Sequence, residues 1–294
     1  MTALPTWQLF VLAVGIWGTT WHAIVYQLAA VPPAFSVAAR FTLAALAVLA
    51  LAALRGQRLR FPARVHGHFA LQGVFMYGLA YLCVYHAELH VPSGLVAVGY
   101  SASPLLAGLG AWALWRTPVS RRFLAGGALG VAGVALVFAP ELAQVGARPT
   151  AGLGLAYTLA AVALSAVGAL AASRNARHGL PFWPALGWGL AWGAATSLAA
   201  AWFSLGADAL PAWPRALSWW LALAWLALAG TVLAFSAFLT LQERLGPGPA
   251  STVGVMTPVV ALTVSTLFEG YQPGPWTLAG GALALGGNWL MLRR

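Results

Sequence analysis

The chain has 294 residues, 61% of them hydrophobic and 7% charged, whereas a soluble domain carries about a quarter charged residues, so a water-soluble fold is excluded. Fifteen basic residues, all arginine, face five acids and give a net charge of +10. They fall in short clusters between apolar runs, which leaves no continuous basic face for a nucleic acid and marks them as the loop charges of a membrane protein.

About 20 largely apolar residues span the hydrocarbon, and arginines, prolines and polar clusters divide the chain into ten such stretches. They run over 7–28, 34–54, 66–88, 91–114, 122–140, 151–173, 181–205, 216–241, 247–268 and 275–292. The expected class is therefore all-α integral membrane, with ten transmembrane helices. The N-terminus lacks the basic region of a cleaved signal peptide and reads as a retained first helix. With ten spans the loops alternate sides. One set holds Arg55, Arg58, Arg60, Arg64, Arg116, Arg121, Arg122, Arg174, Arg177, Arg244, Arg293 and Arg294, and the other holds Arg148 and Arg215. The positive-inside bias puts both termini in the cytoplasm.

On the first helix Trp17 and Trp21 sit one turn apart, a spacing repeated by Trp188 and Trp192 on the seventh. Indoles inside a span stack on a flat or cationic solute or pack against neighbours. Trp7, Trp115, Trp183, Trp213, Trp219, Trp276 and Trp289 fall near span ends and read as interfacial anchors. Arg40 lies several residues into the second helix, where an ionisable group is usually functional or snorkels to the interface; both readings stand. On the third helix Tyr77, Tyr81, Tyr85 and Glu88 share one face, a cavity wall or a packing stripe with bonded hydroxyls. The lone Cys83 allows no internal disulfide.

Displacing the chain by 154 residues puts Pro104 on Pro258, and LAGGAL at 124–129 on LAGGAL at 278–283, without a gap. The chain reads as two five-helix halves, 1–147 and 148–294. Five is odd, so the second half enters from the opposite side, giving the inverted repeats of secondary transporters. Proline within a helix costs roughly 3 kcal/mol; Pro104 frees the carbonyl near Tyr100, and Pro258 the one near Gly254. Each must face protein, water or a ligand, either as two breaks lining one hydrated cavity or as kinks helped by Ser101, Ser103 or Thr257.

The acids Glu88, Glu141, Asp208, Glu243 and Glu269 all fall at or near helix ends, so coupling through a mid-membrane carboxylate is not expected. His22 and His86 are the candidate titrating groups. GYSAS at 99–103 misses the nucleophile elbow, His86-Ala87-Glu88 lacks the cysteine partner of zinc deaminases, and no phosphate-binding loop or lysine exists. No catalytic residue, metal ligand or cofactor is expected.

GIWGTTW at 15–21, AARFTLAAL at 38–46, SPLLAG, TPVVAL and LFEGYQPGPWTLAGGALALGG at 267–287 together resemble the drug/metabolite transporter superfamily. The likeness covers nearly the whole chain and is strongest to its EamA-type exporters, and within them the chain resembles the YddG group of aromatic amino-acid exporters. One position departs: Trp115 stands in the first half where Glu269 stands in the second. The resemblance implies a central substrate cavity lined by Trp17, Tyr77, Tyr81, Tyr85, Tyr100, Ser101, Ser103, Pro104, Thr257 and Pro258, with Trp188 a further aromatic candidate. The expected activity is export of small organic solutes, amino acids first, by a monomeric protein in the bilayer of the inner membrane. Alternatives are a nucleotide-sugar or drug carrier of the same fold, and an integral-membrane enzyme.

Overall fold

The computed structural model describes residues 4–28, 31–143, 149–205, 213–245, 250 and 252–292. Asp208, Arg148, Arg293 and Arg294, and the side chains of Glu141 and Glu243, lie outside the described residues. Among these residues the helices are α1 (Thr6–Leu28), α2 (Pro33–Leu54), α3 (Ala63–Glu88), α4 (Ser93–Trp115), α5 (Arg121–Ala143), α6 (Pro149–Arg177), α7 (Phe182–Leu205), α8 (217–245), α9 (Thr252–Phe268) and α10 (Pro275–Leu292), and no strand is present.

Prolines start these helices and glycines stop them. Pro33, Pro149 and Pro275 occupy the first helical position, and Pro62 and Pro92 cap α3 and α4, where a missing N–H is no loss. Gly56, Gly179 and Gly270 follow α2, α6 and α9 with positive φ, a conformation that costs glycine nothing. The next N–H groups then reach back to close α2 and α6, Gln57 to the Ala52 carbonyl and Leu180 to that of Asn175, as in a Schellman ending.

Seven helices, α1 to α6 and α8, are long and apolar enough to cross a membrane. The other three fall short for visible reasons. α9 has 17 residues, while tryptophan and glycine dilute α7, and glycine and Asn288 dilute α10.

Two helices contain a segment of i→i+5 hydrogen bonding, Val74–Leu79 in α3 and Trp225–Leu233 in α8. Such π-segments are rare and frequent at functional sites; here both occur in helices that line the central cavity. Neither was expected from the sequence. In α4 the break before Pro104 takes the form of a 3₁₀ turn, Tyr100–Ala102. This corrects the expectation of a freed carbonyl, because the Ser103 N–H donates to the Tyr100 oxygen.

The closest helix pair is α5 with α10, which carry the two LAGGAL copies. A Cβ on Gly133 would strike Ala284 and the Gly280 carbonyl, and one on Gly287 would strike the Gly126 carbonyl. Small residues at these crossings let the backbones touch. Since 126 meets 287 and 133 meets 280, the helices run antiparallel. α2 packs on α7, α4 on α9, α1 on α8 and α9, and α3 on α6 and α7.

Among the expected anchors, Trp7, Trp213, Trp276 and Trp289 are exposed, but Trp183 and Trp219 are buried. Trp219 Nε1 donates to Ser36 Oγ at 3.2 Å, and the Arg55 guanidinium lies 4.9 Å from the Trp183 ring, so both indoles join helices and do not face lipid.

Candidate functional site: a central cavity

A cavity of about 380 Å³ lies where α1, α2, α3, α4, α6, α7, α8 and α9 converge, within the usual range for small-molecule sites. Of the residues expected to line it, Trp17, Tyr77, Tyr81, Tyr100, Ser101, Ser103, Thr257 and Pro258 do. Three lie apart. The Tyr85 side chain is fully buried one turn beyond Tyr81 and donates to Gln27 Oε1. Pro104 is turned outward and exposed, because the 3₁₀ turn rotates it off the wall that Tyr100 to Ser103 form. Trp188 donates to the Leu59 carbonyl at 3.0 Å and packs on His66, tying α7 to the α2–α3 loop.

The sequence reading missed Gly230, Thr231, Phe235 and Gly254, which also line the cavity. The signal was available: the same displacement of 154 residues carries Met76, Tyr77, Tyr81 and Tyr100 onto those four positions. Thr20, Phe41 and Ser165 carry no comparable mark.

Most hydroxyls and indoles on the wall are committed. The Trp17 Nε1 donates to the Gly230 carbonyl inside the π-segment of α8 at 3.0 Å, so Trp17 offers a ring and no polar group. Its ring packs on Phe235 and Phe238. Tyr100 shares a 3.0 Å hydrogen bond with Ser165 and stacks edgewise on Trp21. Thr257 donates back to Val253, and beside it a Cβ on Gly254 would meet open space. Ser101 Oγ is buried without a partner. Arg40, 4% exposed, also faces the cavity, its guanidinium 4.7 Å from the Tyr81 ring and 5.2 Å from that of Phe41.

At one end of the bundle Glu269, one residue beyond α9, fastens three helices. Its Oε1 lies 3.0 Å from His22 Nδ1 of α1, its Oε2 accepts from the Ser93 N–H at 3.0 Å, and both Ser93 Oγ and Ser265 Oγ donate to it. The carboxylate thus caps α4, whose first N–H groups have no partner within the helix. Burial pushes the Glu269 carboxyl up, but the hydrogen bonds from Ser93, His22 and Ser265 outweigh it and hold the group below the usual carboxylate range. Beside it, in a cavity of about 490 Å³, stands Glu88. It falls at a helix end, as expected, yet both its oxygens are buried without a partner, so the chain does possess a buried acid. His86, the second candidate titrating group, stacks on Tyr157 instead.

At the opposite end a cavity of about 400 Å³ shares Met76, Tyr77 and Phe235 with the central one. It extends past Gln72 and Asn175, whose amides bond at 2.9 Å, toward the arginine-rich loops. There Arg177 lies over the Trp115 ring at 4.4 Å.

Apolar helices converging on an enclosed chamber, with one end pinned and the other leading outward, describe a multi-pass membrane transport protein. The chain belongs to the EamA-like transporter family, whose model matches it twice, over residues 5–139 and 152–293, and it is a membrane transporter of the drug/metabolite type. It is 28% identical over 257 residues to the uncharacterized inner membrane transporter YedA of Escherichia coli (strain K12), covering 85% of this chain and 78% of that one. Over 97 residues, 33% of this chain and 32% of the other, it is 31% identical to the protein PagO of Salmonella typhimurium (strain LT2). A crystal structure of a protein 23% identical superposes with a TM-score of 0.66 over 96% of this chain and 94% of the other, a likeness of fold alone.

Proposed function

We propose that this protein exports small organic solutes, amino acids above all, by alternating access between two inverted five-helix halves, 1–147 and 148–294. One observation carries the reading: equivalent positions of the two halves wall one chamber, Tyr77 with Thr231, Tyr81 with Phe235, Tyr100 with Gly254, and Ser103 with Thr257. The helix pairing supports it, since α2 with α7, α4 with α9, and α5 with α10 each match a helix to its counterpart. The π-segment of α3, displaced by 154 residues, falls on 228–233, inside that of α8. An antiparallel pair of equivalent helices such as α5 and α10 is what a twofold axis in the membrane plane produces.

Ten crossings, with both termini cytoplasmic as the arginine bias directs, place the Glu269 closure on the outer side. The description of YedA as an inner membrane transporter supports the same membrane here. Both halves belong to one chain, so no second copy is needed to complete the site, and a monomer in the bilayer is part of this reading. Aromatic rings accept the apolar part of a solute, and the unpartnered Ser101 hydroxyl of α4 offers a contact to its polar part.

Purified protein in liposomes preloaded with labelled amino acids tests the reading. Efflux above that of protein-free vesicles is expected. If neither amino acids nor a wider panel of metabolites leaves faster, the reading fails.

A further inference from the structure

Arg40 is the one described cation that reaches the central cavity, and its surroundings leave it unfinished. Its Nε and Nη1 atoms are buried and have no hydrogen-bond partner. Among the described residues no carboxylate forms an ion pair with it; Glu88, farther along α3, is within electrostatic reach, and the Tyr85 hydroxyl, which donates to Gln27, also hydrogen-bonds the guanidinium. The rings of Tyr81 and Phe41 lie within cation–π distance of it. These contacts still leave Nε and Nη1 unbonded. Buried N–H donors without a partner are costly, and a guanidinium binds a carboxylate through charge-assisted hydrogen bonds. The unpartnered Ser101 hydroxyl lines the same cavity.

We infer that Arg40 is the anion-recognition residue of this cavity, and that a transported solute carries a carboxylate bound through the unpartnered N–H donors of its guanidinium, its apolar part lying among Trp21, Tyr77, Tyr81 and Phe235. This rests on the export reading above and adds the group by which a solute is chosen. It also removes simple amines and uncharged amides from the set of good substrates.

Three probes share one ring and differ only in their charged ends: L-phenylalanine, 3-phenylpropionate and 2-phenylethylamine. Calorimetric binding to the detergent-solubilised full chain should detect the first two and not the amine. In Arg40→Gln the preference should vanish, carboxylate binding weakening about tenfold or more, the scale of a lost charge-assisted hydrogen bond. Arg40→Lys keeps the charge without the guanidinium and should retain part of it. The comparison of probes on the unaltered protein stands even if the variants fail to fold. An amine that binds as tightly as the acid, a preference that survives in Arg40→Gln, or no binding of any probe overturns the inference. Carboxylate selectivity without flux in liposomes would instead leave Arg40 as assigned and overturn the export reading.

Discussion

Both oxygens of Glu269 are bound by groups from other helices, and its charge sits at the start of α4. Glu269→Gln keeps the shape and loses the charge, so the variant should melt lower than the parent at neutral pH. Because folding lowers the pKa of this carboxyl, its stabilisation is complete above the ordinary carboxylate range and is lost as pH falls through the lowered value. Melting curves of parent and variant should therefore converge in acid, and a gap that persisted there would assign the effect to packing. Single residues were also where the sequence was most and least legible. Trp17, Tyr81 and Thr257 were readable from position and pattern, whereas Arg40 stood undecided because its depth depends on a boundary that α2 settles only on folding. Tyr85 and Trp188 were misplaced because a hydroxyl or indole that has found a partner looks the same in sequence as one that awaits a ligand.

Helices were legible from apolar runs and punctuating prolines, but their internal irregularities were not. A π-segment inserts no proline or charge; it arises where a helix yields to its neighbours. In α3 the π-segment starts directly after Gly73 and contains Gly78, and these glycines abut Gly189 and Thr196 of α7; in α8 it holds the Gly230 carbonyl that accepts from Trp17. The glycine-rich motif was legible as a repeat, and the structure adds that its two copies pack against each other. Gly133→Ala would push a methyl into the α10 backbone, and overpacking of this kind costs about 1–3 kcal/mol. Gly281→Ala, within the second LAGGAL copy but facing open space, should be neutral or stabilising by roughly 0.4–1 kcal/mol. Unfolding of the two variants side by side measures the difference, and equal effects would remove the α5–α10 crossing as the place where backbones touch.

Across the whole molecule, the proposed alternating access predicts that the Glu269 end opens once per cycle. Cysteines at His22 and Glu269, in a chain whose single native thiol is changed by Cys83→Ala, can be bridged by a short bifunctional maleimide. Bridging should stop flux while leaving ligand binding from the arginine-rich side intact; transport at the parental rate through bridged protein would place the moving gate elsewhere. Under the displacement of 154 residues Glu269 corresponds to Trp115, whose ring lies under the Arg177 guanidinium at the far end. One end therefore holds a carboxylate that loses its charge once pH falls through its lowered pKa, and the other a guanidinium resting on an indole, neither of which titrates at biological pH. The two ends of the molecule thus answer differently to the acidity of the compartments they face.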